Sequence, residues 1–335
     1  MAEGRGEPMG AARGKEAPAG PGGRGWAEAA FAAVAAVALY AAGSTLRFPF
    51  NPAVLVCPVP LVLVAIRHGA ALGGTVVALA GGVLAAAQMP GGSAMGFVLF
   101  CGLPALALGL CMRRSLSPEW TVALGAAALC AAFVLGLAVW GGGIGGVGPA
   151  FRQVAAGVDG WLLEGERVLE GLGSAGDLAG FPETLAGLRV LARRALPGLL
   201  GAGALLLAAT LSALAMGLAA RTVGSAPPPF AWALPEGLVW AFIGAGGATL
   251  APWGPWRTIG LNALVVLLCL YLLQGLAIAG FFFRRLELPR SLRYLAAILA
   301  GVWPPLTVFV VAVLIGVGLC DVWVAFRRLD ASRPS

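Results

Sequence analysis

Nine apolar runs, separated by short polar or charged breaks, dominate the chain: Trp26–Leu46, Ala53–Ile66, Ala70–Gln88, Ala94–Met112, Thr121–Trp140, Ala195–Ala220, Gly237–Ala251, Ile259–Phe283 and Leu295–Cys320. A helix that crosses ~30 Å of hydrocarbon needs ~20 apolar residues, at a rise of ~1.5 Å each. Most of these runs reach that length. Ala53–Ile66 and Gly237–Ala251 are short. The first can recruit Phe48–Phe50, and its Pro58 and Pro60 predict a kink, because proline removes a backbone donor and crowds the preceding turn. Trp303-Pro304-Pro305 predicts a break in the last run. Two arrangements follow, nine simple spans or eight plus a broken element, and they place Arg327, Arg328 and Arg333 on opposite sides of the membrane.

The segment between the fifth and sixth runs has a different pattern. It opens with the glycine-rich stretch Gly141–Gly148, too flexible to continue a helix. Phe151, Val154, Val158, Trp161, Val168 and Leu172 then recur at spacings of three to four, with charges between them, and Leu185, Leu188 and Leu191 repeat the pattern. This predicts two amphipathic helices, lying on the membrane or capping the bundle. The chain therefore divides into a polar tail over 1–25, a five-helix membrane unit over 26–140, an amphipathic insert over 141–194 and C-terminal membrane helices over 195–330. The expected fold is all-α, a polytopic transmembrane bundle of eight or nine spans with an extracytoplasmic helical insert.

Composition narrows the class further. Of 335 residues, 59% are apolar and only 11% charged, with a mean hydropathy of +0.90. Soluble domains carry about 25% charged residues, so a soluble enzyme, a nucleic-acid-binding domain and a disordered protein are all excluded. The net charge of +7 comes from arginines in short clusters rather than a basic face. Arg67-His68, Arg113-Arg114, Arg221 and the group Arg284, Arg285, Arg290 and Arg293 occupy alternate gaps, on the same side as Arg5, Arg13, Lys15 and Arg24 of the tail. Basic short loops stay inside, so the N-terminus is expected in the cytoplasm, in a bacterial inner membrane. Trp26–Leu46, although followed by small residues, reads as an uncleaved first helix, because more spans follow.

Candidate chemistry is sparse. The eight later runs contain no Asp, Glu, Lys, Arg or His, which argues against a proton relay, an ion pump or a carboxylate protease, since such groups are costly in lipid and retained for function. Glu28 and Asp321 sit at span edges, and Asp321 reads as an ion pair with Arg328 two turns on. Six dispersed cysteines and a single histidine offer no metal site, and the cysteines read as small apolar packing residues. There is no phosphate-binding loop, so the chain cannot be its own ATPase. Gln88, Asn262, Gln274, Thr75, Thr210, Ser212, Thr249 and Thr307 are the neutral polar groups. Asn262 and Gln274, twelve residues apart, do not share one stripe and read as glue between helices. Small residues recur four apart in the first run, at Ala29/Ala33 and Ala32/Ala36, a spacing that permits close helix approach.

Two strings carry a resemblance. Gln274-Gly275-Leu-Ala followed by Phe282-Phe-Arg-Arg285, and Gly318-Leu-Cys-Asp321-Val-Trp323 followed by Phe326-Arg327-Arg328, are together similar to the YybS family of bacterial multi-pass membrane proteins, a domain of unknown function. The likeness extends over residues 26–330. The first five runs also resemble the substrate-binding S components of energy-coupling-factor transporters. That resemblance implies that Ala29, Ala33 and Ala36 face a partner helix and that Arg47, Phe48 and Asn51 lie near a ligand. It also implies a separate ATPase and a transmembrane coupling protein.

Three functions compete at this stage. A small-molecule-binding or transport subunit predicts a cavity near the outer face, lined by Arg47, Asn51, Gln88, Trp140 and Asn262. A scaffold for an envelope complex predicts a filled bundle with a partner for the outer amphipathic helices. An intramembrane enzyme lacks any nucleophile–base or metal constellation, so no catalysis and no cofactor are expected. Lipid is the expected surrounding in every case, and nucleic acid is not an expected partner.

Overall fold

The computed structural model describes residues 23–45, 52–87, 93–172, 181–223, 232–252, 254–287, 289, 291 and 304–324. The regular elements among them are helices: α1 (Gly23–Thr45), α2 (Pro52–Val56), α3 (Pro58–His68), α4 (Ala70–Ala86), α5 (Ser93–Phe97), α6 (Leu103–Arg113), α7 (Pro118–Trp140), α8 (Val147–Leu172), α9 (Phe181–Arg194), α10 (Leu196–Val223), α11 (Leu238–Thr249), α12 (Gly254–Arg285) and α13 (Pro304–Val324). Among the described residues six helical stretches are long and apolar enough to cross a membrane: Gly25–Gly43, Ala94–Arg113, Pro118–Trp140, Leu196–Ala220, Gly254–Arg285 and Leu306–Val324. Pro58–His68, Ala70–Ala86 and Leu238–Thr249 are apolar but shorter.

Local breaks follow from residue type. The second apolar run splits at Cys57 into α2 and α3, where Pro58 opens a new helix; proline suits a first helical position because its missing N–H is not needed there. A widened π turn, Val98–Gly102, joins α5 to α6. Gly69 turns the chain from α3 to α4 with φ of 92°, and a Cβ there would collide with the Arg113 guanidinium.

The helices pack as a membrane bundle does. Small residues mark the closest approaches: a Cβ on Gly109 would collide with Ala65, and one on Gly102 with Val77. Large apolar side chains point outward instead, with Phe31 77%, Trp240 76% and Leu250 85% exposed. In water such a surface would aggregate; in lipid it is the ordinary outer face, and small residues inside let helices approach. One apolar core joins α1, α3, α4, the π turn and α6 around Leu61, Val76, Leu84, Phe97 and Leu108. A second joins α7, α10 and α12 around Val122, Leu205, Ala208 and Cys269. Helix α7 also packs on α6, bridging the two.

The insert is helical as its spacing predicts. Gly142 and Gly143, both at positive φ, end α7, and α8 and α9 follow. Arg193 on α9 pairs with Asp159 on α8 at 3.6 Å, holding the two together.

Candidate functional site

At the end of the bundle where α6 turns into α7, a cavity of about 800 Å³ opens between the turn, α7, α10 and α12. The turn is tight: Ser115 adopts φ of 54°, and the backbone N–H groups of Arg114, Ser115 and Leu116 return to carbonyls of the last turn of α6. Pro118 then starts α7. The walls are mostly apolar, with Met112, Val122, Met216 and Leu273 among them, and they also carry Ser115, Ser117, Thr121, Thr210, Ser212 and Trp232. None of the described lining residues is ionisable.

Trp232 reaches this cavity from an extended strap ahead of α11. The strap is held at two consecutive backbone groups. Ala233 N–H donates to Glu119 Oε1 on α7 at 2.7 Å, and Leu234 N–H donates to Gln274 Oε1 on α12 at 3.2 Å. The other end of the same amide, Gln274 Nε2, donates to Asp321 Oδ2 on α13 at 2.7 Å. One side chain thus clamps a loop to one side and the last helix to the other. Two glycines make this geometry possible. A Cβ on Gly275 would strike the Leu314 carbonyl, and one on Gly318 would strike the Tyr271 carbonyl, so α12 and α13 meet backbone to backbone. Tyr271 is fully buried and stacks edge-on with Phe242 at 5.6 Å.

Burial singles out the same region. The buried polar residues among the described ones are Thr121, Ser212 and Gln274. Gln274 is satisfied by its clamp. Ser212 Oγ and Trp232 Nε1, at residues only 2% and 6% exposed, bond to no protein group, and neither does the Tyr271 hydroxyl. Thr210, in the same wall as Ser212, differs: its hydroxyl donates back to the Leu206 carbonyl at 2.8 Å. A buried donor without an acceptor costs about 1–3 kcal/mol; of the three unpaired residues, Ser212 and Trp232 line the cavity.

Of the residues expected to bind ligand, only Trp140 and Asn262 are among the described ones. Arg47, Phe48, Asn51 and Gln88 lie outside the described residues. Trp140 ends α7, exposed, about 33 Å along the helix from the turn at Pro118. Asn262 is engaged: its Oδ1 accepts from Gly198 N–H at 2.5 Å, and its Nδ2 donates to the carbonyls of Arg194 and Thr258 at 2.9 and 2.8 Å. It tethers the start of α10 to α12. The cavity therefore sits at the end of α7 opposite Trp140, and mostly on later helices than the first five.

The small-residue face of the first helix is also taken. Ala29 and Ala36 are buried and Ala33 is packed on the core, against α3 and α4 of the same chain. The Cys57 thiol donates to the Ala36 carbonyl at 3.2 Å, and Glu28 pairs with Arg67 and His68 at 3.0 and 3.2 Å. An outside helix has no access to that face. Asp321, expected at a span edge beside Arg328, lies inside the apolar stretch Leu306–Val324 and accepts from Gln274; Arg328 is outside the described residues. Among the described residues, no three His, Cys, Asp or Glu side chains come close enough to hold a metal ion.

Sequence reasoning did not single out Trp232, since it follows a proline-rich break rather than a run. Ser212 was visible only as one of several dispersed hydroxyls. The signal that could have found Gln274 and Asp321 was their place in the two motif strings, which fold against each other.

The chain belongs to a family described as predicted membrane protein (DUF2232), whose model matches residues 34–322 and so covers the first string, the start of the second as far as Val322, the insert and the cavity. No curated protein and no solved structure matches it.

Proposed function

We propose that this membrane protein is a small-molecule-binding component of the bacterial cytoplasmic membrane, with eight or nine helical crossings and its N-terminus inside. The observation that carries the reading is the cavity of about 800 Å³ whose walls hold a buried hydroxyl and a buried indole N–H without protein partners. That volume lies in the range of ligand pockets, ~300–1,000 Å³, and the mix of apolar wall and few polar groups is typical of them. Arginines 113 and 114 flank the turn that lines it, so by the positive-inside rule the cavity faces the cytoplasmic leaflet. No nucleophile–base pair lines it, which favours binding over catalysis. If the ligand is moved, the energy comes from a separate ATPase with a transmembrane coupling protein, because this sequence has no phosphate-binding loop.

The test is a thermal-shift and native mass-spectrometry screen of the detergent-purified chain, with Ala213→Trp as the control that fills the cavity from α10. Stabilising ligands whose binding Ala213→Trp abolishes support the reading. A screen across metabolites and lipids that finds none, or finds ligands that Ala213→Trp leaves bound, overturns it.

One observation favours a second reading, a scaffold for an envelope complex. The insert leaves Trp161, Leu163 and Val190 exposed on α8 and α9. Crosslinking from Trp161→Cys that captures a defined protein favours the scaffold; capture of lipid alone argues against it.

A further inference from the structure

Building on that binding reading, we propose that the cavity selects an uncharged, mainly apolar molecule bearing a hydrogen-bond-accepting oxygen, and that Ser212 and Trp232 are the residues that read it. The argument starts from charge. None of the described lining residues is ionisable, and the Glu119 carboxylate of α7 accepts the strap's Ala233 N–H through Oε1. No lining residue offers a counter-charge, so a charged group seated deep among the walls would lose its hydration without direct compensation, which is the costly case. A neutral one would not.

Polarity sets the second requirement. An indole N–H can only donate. Trp232 Nε1 has no protein acceptor, and the residue is 6% exposed, fixed by backbone bonds on either side of the strap. Trp232 lines the cavity, and the acceptor assigned to it here is an oxygen of the molecule that fills that space. Ser212 Oγ, 2% exposed on α10 and also unpaired, can donate or accept. A carbonyl, ether or hydroxyl oxygen satisfies both, and an alkyl body satisfies the Met112, Val122, Met216 and Leu273 wall. Depth fits as well. Thr121 is one turn inside the start of α7, and Ala277 is about 10 Å before the arginines that end α12. An amphiphile of the inner leaflet would have its oxygen at this level.

The experiment uses the full chain in neutral phospholipid nanodiscs and a series with one shared body: farnesol, farnesene, which lacks the oxygen, and farnesoate, which is charged. Affinities are corrected for partition into protein-free nanodiscs. Coumarin, a neutral carbonyl compound soluble in water, tests an aqueous source against a bilayer source. Farnesol should bind about tenfold more tightly than farnesene, the size of one net hydrogen bond, and farnesoate more weakly than farnesol. Ser212→Ala and Trp232→Phe should each erase most of the farnesol advantage while leaving farnesene unchanged, a result that misfolding would not produce. Coumarin binding in place of farnesol keeps the ligand class and assigns it to the aqueous side. Equal binding of farnesene and farnesol, tighter binding of farnesoate, unchanged ratios in both variants, or no binding of either neutral probe overturns the class. The binding reading itself falls only on the separate cavity-filling screen.

Discussion

The two halves of the bundle solve the same packing problem differently. Around α1, α3, α4 and α6 every fully enclosed side chain in the core cluster is apolar, and glycines such as Gly109 draw helices into direct contact. Around α7, α10 and α12 the interior holds Thr121, Ser212 and Gln274, and it leaves a cavity. Lipid is as apolar as leucine, so neither half gains from hiding hydrocarbon; close contact and satisfied hydrogen bonds supply the stability. The second half has close contacts too, at Gly275 and Gly318, and differs in keeping unpaired buried donors beside a cavity, which on the proposed reading is space for a ligand. The first half reads as a frame and the second as a holder.

Substitutions sharpen that contrast, beginning with the largest. Gly109→Leu forces a side chain into Ala65 and should destabilise by about 3 kcal/mol or more, seen as a large drop in Tm in detergent. Leu61→Ala should cost about 2 kcal/mol, the cavity cost alone, since in lipid the transfer contribution vanishes. Gln274→Leu removes the bonds to Leu234 and Asp321 and should cost about 1–2 kcal/mol. Its sharper signature is faster alkylation of an Ala233→Cys reporter as the strap comes loose. Ser212→Ala should leave Tm unchanged or raise it by an amount equivalent to about 0.5 kcal/mol, because it deletes an unpaired buried hydroxyl. If Ser212→Ala destabilises as much as Leu61→Ala, the two halves are not different in kind and the second is simply less tightly packed.

Much of the frame was legible in the sequence. The apolar runs become helices nearly where their edges fall: Ala94–Met112 becomes Ser93–Arg113 across the π turn, and Thr121–Trp140 becomes Pro118–Trp140. Pro58 marks a helix start because proline constrains the local backbone. The amphipathic period of the insert held for the same reason, being a property of neighbours three and four apart. The holder was not legible. Trp232, Ser212 and Glu119 meet only after three helices and a strap have packed, and no local period encodes that. Asn262 and Gln274 look alike as amides on α12, yet one caps the start of α10 and the other clamps the strap to the last helix. Which partner each found depends on helix rotation, which their spacing leaves undetermined. The alanines of α1 pack on helices of the same chain, since a face suited to close approach does not say whose helix approaches.

The backbone contact of Gly275 with α13 has a consequence for biogenesis. The strap leaves the ribosome before α12, and α12 before α13, so Asp321 is the final piece of the clamp to be made. Until it arrives, the Gln274 Nε2 lacks that acceptor, and a lone aspartate entering lipid is itself poorly tolerated by the insertion machinery. The amide and the carboxylate ease each other's entry into the bilayer, so α12 and α13 should leave the translocon together rather than one at a time.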